Sequence, residues 1–171
     1  MSHELRTPMN AVIGLSSLLK VMDGLPDKAR KYVETLATSA DNLMALINDL
    51  LDFAKIEADS FEIEKVEFNL ARQVEGVISI TNVKAQEKNL QLYLSYSPDL
   101  ARNFIGDPLR LGQVLNNLVS NAIKFTDRGS VELDIKGQPD AENNRTWVTF
   151  KVSDTGIGIP LQDLPRIFER F

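Results

Sequence analysis

Cysteine is absent from the 171 residues, which excludes disulfides and thiolate metal sites. A single histidine argues against a zinc site, because carboxylates would have to supply almost every ligand. No strongly basic cluster interrupts a chain with 19 basic and 24 acidic residues and a formal net charge of −5. A nucleic-acid binder would show a basic footprint, so that class is disfavoured. There is no signal peptide and no apolar run near the roughly 18 residues a membrane span requires, so this segment is expected neither to cross a membrane nor to be exported. Asn144-Arg145-Thr146 matches a glycosylation sequon but, without an export signal, reads only as an exposed loop. What is present is an ordinary globular balance, 43% hydrophobic and 25% charged, enough for one medium domain or two small ones.

The first 57 or so residues read as two helices. In the second, Val33, Leu36, Ala40, Leu43, Ile47, Leu50 and Ala54 recur at steps of three and four, a heptad seam. Leu5, Met9, Val12, Leu19 and Met22 give the first a less regular stripe, and Asp23-Gly24-Leu25-Pro26-Asp27 between them is a turn by composition. A lone helical hairpin has no second layer over its apolar face. Pairing two copies into a four-helix bundle supplies one, so the periodicity predicts a homodimer.

Beyond the hairpin the pattern becomes mixed. Phe61 to Phe68 reads as a short linker strand. Asn69 is positioned to cap a helix running to about Glu87, and Asp107-Pro108 to start another that ends near Phe125. Leu90 to Tyr96, Val131 to Ile135 and Val148 to Val152 alternate as half-buried strands, with Gly137 to Arg145 as a polar hairpin loop. The expected fold class is therefore α+β, with helices layered on one mostly antiparallel sheet.

Four short segments bear on chemistry. In Ser2-His3-Glu4-Leu5-Arg6-Thr7-Pro8, Glu4 can hold one imidazole nitrogen of His3 and leave the other as a nucleophile. Taken alone, a single histidine is more often a solvated helix residue. In the helix from Asp107, Asn117 and Asn121 share a face with Lys124 near it. Amide oxygens are hard ligands suited to Mg²⁺, and lysine is a point charge for phosphate. A single such pair is commonly just a polar helix face, and Asn116 reads as a surface residue. Asp154-Thr155-Gly156-Ile157-Gly158-Ile159-Pro160 follows a strand, and its glycines permit close backbone approach. Its spacing is neither that of a P-loop nor that of a dinucleotide fingerprint. Leu164 to Phe171 reads as an amphipathic helix.

These segments resemble, in order, the H, N, G1 and F boxes of two-component sensor histidine kinases, and together they run from residue 2 to residue 171. The resemblance implies a helical hairpin that forms a dimeric four-helix bundle (1–60), a linker or hinge (61–68), and an α/β sandwich ATP-binding domain of the Bergerat or GHKL type (69–171). It implies that His3 is phosphorylated, that Glu4 is its general base, and that Thr7 positions water for phosphatase action. Asn121 would ligate Mg²⁺, Asn117 and Lys124 would support the phosphates of ATP, and Phe125 would lie near the nucleotide. Asp154 would accept from the adenine amino group, in a loop shaped by Gly156 and Gly158, and the F box would pack at the base of a lid over ATP. The implied partners are a second copy and the receiver domain of a response regulator, in the cytoplasmic portion of a membrane-anchored parent. The family pattern continues with a glycine-rich G2 box, which this sequence does not reach, so the catalytic domain reads as incomplete at its C-terminus. Two other readings are a GHKL-type ATPase without an accepting histidine and a catalytically impaired dimerisation scaffold.

Overall fold

A turn at residues 21–26, with Gly24 at φ 80 and Pro26, separates two helices, α1 (Ser2–Lys20) and α2 (Asp27–Glu57). The computed structural model describes residues 2–57, 62–140 and 145–167, with the side chains of residues 2–5, 49 and 55 outside the described set. The chain divides into two compact units, Met1–Glu62 and Ile63–Phe171.

In the first unit α1 and α2 pack as a hairpin. Arg30 donates to the carbonyl of Lys20 at 3.3 Å and closes the turn, and Arg6 donates to Asn48 at 3.3 Å at the open end. The side of α2 turned inward is Val33, Ala37, Ala40, Met44, Ile47 and Leu51, while Met9, Ile13 and Ser16 turn inward from α1. The buried Ser16 hydroxyl donates to the carbonyl of Ile13 at 2.8 Å, so its polarity is satisfied within its own helix. The expected seam therefore mixes two faces. Val33, Ala40 and Ile47 belong to the hairpin interior, whereas Leu36, Leu43 and Leu50 lie on the open side with Leu46. A helix of 3.6 residues per turn can carry two neighbouring apolar stripes, and one packed neighbour covers only one of them.

In the second unit, local capping sets the helices. Asn69 accepts from the N–H of Arg72 at 2.9 Å and starts α3 (Leu70–Glu87). Asp107 accepts from the N–H of Arg110 at 3.0 Å and starts α4 (Pro108–Phe125), with proline in the first turn where no donor is lost. The strands are β1 (Val66–Asn69), β2 (Gln91–Tyr96), β3 (Asn103–Gly106), β4 (Ser130–Asp140) and β5 (Arg145–Asp154). They form two sheets rather than one: β1 pairs antiparallel with β3, and a three-stranded sheet runs β2-β4-β5. Within the latter, β2 is parallel to β4 and β5 antiparallel to it. Both helices cover one face of this sheet. Val74 and Val77 of α3, Leu115 and Val119 of α4, and Leu133 and Ile135 of β4 meet in a single core. The opposite face is polar, with Lys136 paired to Asp134 at 2.6 Å.

Three details differ from the sequence reading. Residues 66–68, expected in the linker, lie in β1 of the second unit, where Phe68 packs against the core. The β4–β5 ladder continues past the expected loop boundary, with Gly137 opposite Val148 and Asp140 opposite Arg145. Backbone pairing extends the hairpin through Gly137, Gln138, Pro139 and Asp140, so Arg145 and Thr146 of the sequon begin a strand. Asn144 lies outside the described residues. Finally, residues 161–167 form successive turns, with Asp163 N–H donating to Pro160 O and Arg166 N–H to Asp163 O, and no helix is present there among the described residues. Residues 168–171 of the expected F box lie outside the described set.

Candidate functional site

The core of the second unit takes Gly112, Leu115, Val119, Ala122 and Ile123 from α4. Helical geometry then directs Asn117, Asn121 and Lys124 to the opposite side, and all three are exposed. The Asn121 side-chain nitrogen donates to Asn117 Oδ1 at 3.3 Å. The bond engages the nitrogen of this exposed residue and leaves the Asn121 amide oxygen as a hard donor, the kind of ligand magnesium takes. One turn on, the Lys124 ammonium lies 5.1 Å from the ring centre of Phe125. The face thus offers amide oxygens at its centre and a cation over an aromatic at its end.

The loop after β5 meets this helix at its carboxyl end. Ile157 N–H donates to the carbonyl of Phe125 at 3.3 Å. Asp154 Oδ1 accepts from Gly156 N–H at 2.9 Å, which folds the loop back on the strand end and engages one of the two carboxylate oxygens. A Cβ at Gly156 would run into the Phe125 carbonyl and Asp154 Oδ1, so only glycine allows this approach. Gly158 has φ +68 with open space around it, so its glycine answers a left-handed backbone and leaves room beside the loop. A carboxylate that retains one oxygen, beside an exposed aromatic and an amide-lined helix face, suits a base with an amino donor and a phosphate chain bearing a metal.

Thr155, to which the sequence reading gave no role, joins the site to the strand behind it. Its hydroxyl accepts from Ser130 N–H at 3.0 Å and donates to Arg128 O at 3.2 Å, fixing the turn between α4 and β4. Its place inside the Asp-Thr-Gly-Ile-Gly segment was the available signal. A wide cleft of about 1070 Å³ elsewhere in the unit is lined by Glu67, Asn103, Ile105, Asp140 and Arg145, among others. None of the expected site residues lines it. The donor chemistry on α4 and in the β5 loop is the better guide to function.

His3 and Glu4 fall in the first turn of α1, and their side chains lie outside the described residues. Thr7 is one helical turn further on and exposed. Pro8 lies inside the same helix, where its missing N–H removes the donor that the carbonyl four residues earlier would accept. The expected residues therefore assemble in two places. Asn117, Asn121, Lys124, Phe125, Asp154, Gly156 and Gly158 belong to the second unit, and His3, Glu4 and Thr7 to the first.

Comparison with known proteins matches both units. Residues 1–59 match the His Kinase A (phospho-acceptor) domain, and residues 106–171 match the histidine kinase-, DNA gyrase B-, and HSP90-like ATPase family. The signal transduction histidine-protein kinase BarA of Escherichia coli (strain K12) is 41% identical over 171 residues, which is 100% of this chain and 18% of that protein. The autoinducer 2 sensor kinase/phosphatase LuxQ of Vibrio cholerae is 42% identical over 174 residues, covering 100% of this chain and 20% of its own length. The chain thus spans about a fifth of the curated relatives it matches. Among solved structures, full-length ShkA in complex with AMPPNP superposes with a TM-score of 0.76 at 35% identity, over 98% of this chain and 35% of that one. The Acinetobacter baumannii histidine kinase AdeS shares the fold, with a TM-score of 0.62 at 22% identity over 96% of this chain and 78% of its own.

Proposed function

This chain belongs to the sensor histidine kinases, and we propose that it forms the dimerising, phospho-accepting and ATP-binding core of one. The observation that carries this reading is the presence in one chain of a phospho-acceptor domain over 1–59 and an ATPase domain over 106–171. The outward amides of α4 and the half-engaged carboxylate of Asp154 support nucleotide as the ligand of the second unit.

In this reading Asp154 accepts from the adenine amino group with its remaining oxygen. Asn121 offers its amide oxygen to Mg²⁺, while Asn117 and Lys124 face the phosphates. The metal, when bound, neutralises charge on the phosphate oxygens, since phosphoryl transfer depends mainly on positioning and electrostatics. A ring nitrogen of His3 attacks the γ-phosphorus. A nitrogen–phosphorus bond forms, the bond to the ADP oxygen breaks, and Glu4 takes the imidazole proton. The phosphoryl group then passes to an aspartate of a response-regulator receiver domain, and Thr7 positions water when the protein instead acts as a phosphatase, hydrolysing that aspartyl phosphate to aspartate and inorganic phosphate.

Dimerisation through the open leucine stripe of α2 completes a four-helix bundle around the phospho-acceptor. The second unit must approach His3 for transfer, and the part of the expected linker 61–68 that precedes β1 is the proposed hinge. No described helix is long and apolar enough to cross a membrane. We place this segment on the cytoplasmic side of a membrane-anchored parent, where ATP and the regulator are found.

Incubation with γ-labelled Mg·ATP tests the reading. Label that is acid-labile, alkali-stable and absent from a His3→Gln variant is the expected result. ATP hydrolysis without any labelled protein would point instead to an ATPase lacking a histidine acceptor. Neither binding nor labelling would leave a dimerisation scaffold.

A further inference from the structure

Lys88 directly follows α3 and lies outside every motif named above. Its backbone N–H caps its own helix by donating to the carbonyl of Ala85 at 3.2 Å. Asn89 then turns the chain with φ 56, and Leu90 N–H returns to the same Ala85 carbonyl at 2.9 Å. The side chain does something separate. It crosses to α4, where the ammonium donates to Ile123 O at 3.0 Å, Lys124 O at 2.8 Å and Thr126 O at 3.2 Å.

An ammonium has three N–H donors, and these three bonds use them all. The acceptors are carbonyls at the end of a helix, where no intrahelical donor remains and where the helix dipole favours a cation. The set of acceptors has one gap. Between Lys124 and Thr126 the carbonyl of Phe125 is passed over, and that carbonyl instead accepts from Ile157 N–H at 3.3 Å in the loop that bears Asp154. The same carbonyl is the atom that forbids a side chain at Gly156. Thr126, fully buried, secures the next position with its hydroxyl on Ala122 O at 2.8 Å. Four consecutive carbonyls are thus sorted between two partners. Three point to Lys88, and the remaining one points to the nucleotide loop.

We infer that Lys88 is a positioning residue for the nucleotide site. By holding the carbonyls of Ile123, Lys124 and Thr126, it fixes the peptide orientation that presents Phe125 O to Ile157 N–H. In doing so it sets the distance between the face of α4 bearing Lys124 and the loop bearing Asp154. Lys88 itself touches no nucleotide. The inference rests on the proposed ATP-binding role of this site for its consequence, but its structural part does not.

The test uses the whole chain and three variants. Lys88→Met keeps the apolar stem and removes the ammonium. Lys88→Arg keeps the charge but replaces three divergent donors with a planar fork. Asp107→Ala weakens α4 at its other end and controls for general loss of stability. Amide hydrogen exchange is measured without ligand, followed by binding of the fluorescent nucleotide mant-ADP. In Lys88→Met the Ile157 amide should exchange about tenfold faster while the Leu133 amide, in the core strand, keeps its wild-type rate. The dissociation constant for mant-ADP should rise about five- to tenfold in the same variant, with Lys88→Arg falling between it and wild type. Equal acceleration at Ile157 and Leu133, or the same Ile157 response in Asp107→Ala, would reduce Lys88 to a general stabiliser and overturn the inference. Full restoration by arginine would overturn the three-bond clamp in favour of charge alone. If wild type fails to bind mant-ADP, the ATP reading falls, while the ligand-free exchange rates still decide whether Lys88 positions the loop.

Discussion

The side-chain nitrogen of Asn121 donates to the side-chain oxygen of Asn117 across one turn of α4 at 3.3 Å. That bond uses a donor of Asn121 and an acceptor of Asn117, so the two asparagines are not equivalent. In the proposed reading Asn121 supplies the ligand atom, while Asn117 orients it and supports the phosphates.

The inequality gives the first prediction. Asn121→Ala should raise the dissociation constant for Mg·ATP by at least about tenfold, the scale of one lost ligand or charge-assisted contact. Asn117→Ala should have a smaller effect. Titrations with and without EDTA check it: wild-type affinity should depend on the metal, and that of Asn121→Ala should not. A variant that keeps full metal dependence would remove Asn121 from the ligand set.

A second prediction concerns acid stability. The N–H of Arg110 on the Asp107 carboxylate holds its pKa below the ordinary value, assisted by the N–H of Glu64 at 3.2 Å and opposed by partial burial. A carboxyl whose folded pKa is depressed stabilises the fold above its unfolded pKa of about 3.9, and the contribution is lost as pH falls through that value toward the folded pKa. Asp107→Ala should therefore lower the melting temperature at pH 7, and the gap to wild type should close as pH falls below about 4. A gap that stays constant from pH 7 to pH 3 would contradict this.

The two helices of the second unit were legible because their signals are local. Asn69 and Asp107-Pro108 mark helix starts through contacts three residues long, and the structure begins α3 and α4 there. The strand β3, Asn103-Phe104-Ile105-Gly106, was missed because four residues are too few to show alternation. Its pairing with β1 is a contact between segments more than thirty residues apart in sequence. The parallel β2–β4 pairing was missed for the same reason, since alternation reveals a buried face but not a neighbour. At the site, residue types were legible through resemblance to known motifs. The bonds from Phe125 to Ile157 and from Thr155 to Ser130 were not, because they join positions that no spacing relates.

Core packing supplies the third prediction. Leu133, on the central strand β4, is fully buried beneath the two helices, so Leu133→Ala should cost about 2–5 kcal/mol through lost burial and an unfilled cavity. Trp147, 71% exposed on the same sheet, should change stability by less than about 0.5 kcal/mol when replaced by alanine. Urea unfolding of the two variants measures both values. A large loss at Trp147 would mean that the polar face of the sheet is covered in the native protein.

The last prediction concerns the hairpin. Leu36, Leu43 and Leu50 recur every seven residues on α2, and Leu46 joins them, yet Leu43 is 47% exposed, Leu46 65% and Leu50 64% within a single chain. The inward stripe of Ala37, Ala40 and Ile47 packs against α1, which leaves the leucines uncovered by the hairpin itself. A sustained apolar stripe of this size is what a bundle of two hairpins would bury. Lysine at Leu43 would place a charge at the centre of that contact, where desolvation without a partner is costly. Leu43→Lys should therefore sediment as a monomer at concentrations where wild type is a dimer, while the second unit, whose core lies in 63–171, keeps its fold and its nucleotide affinity. A Leu43→Lys protein that remains dimeric would locate the dimer contact elsewhere than the α2 leucines. A monomeric wild type would remove the bundle altogether.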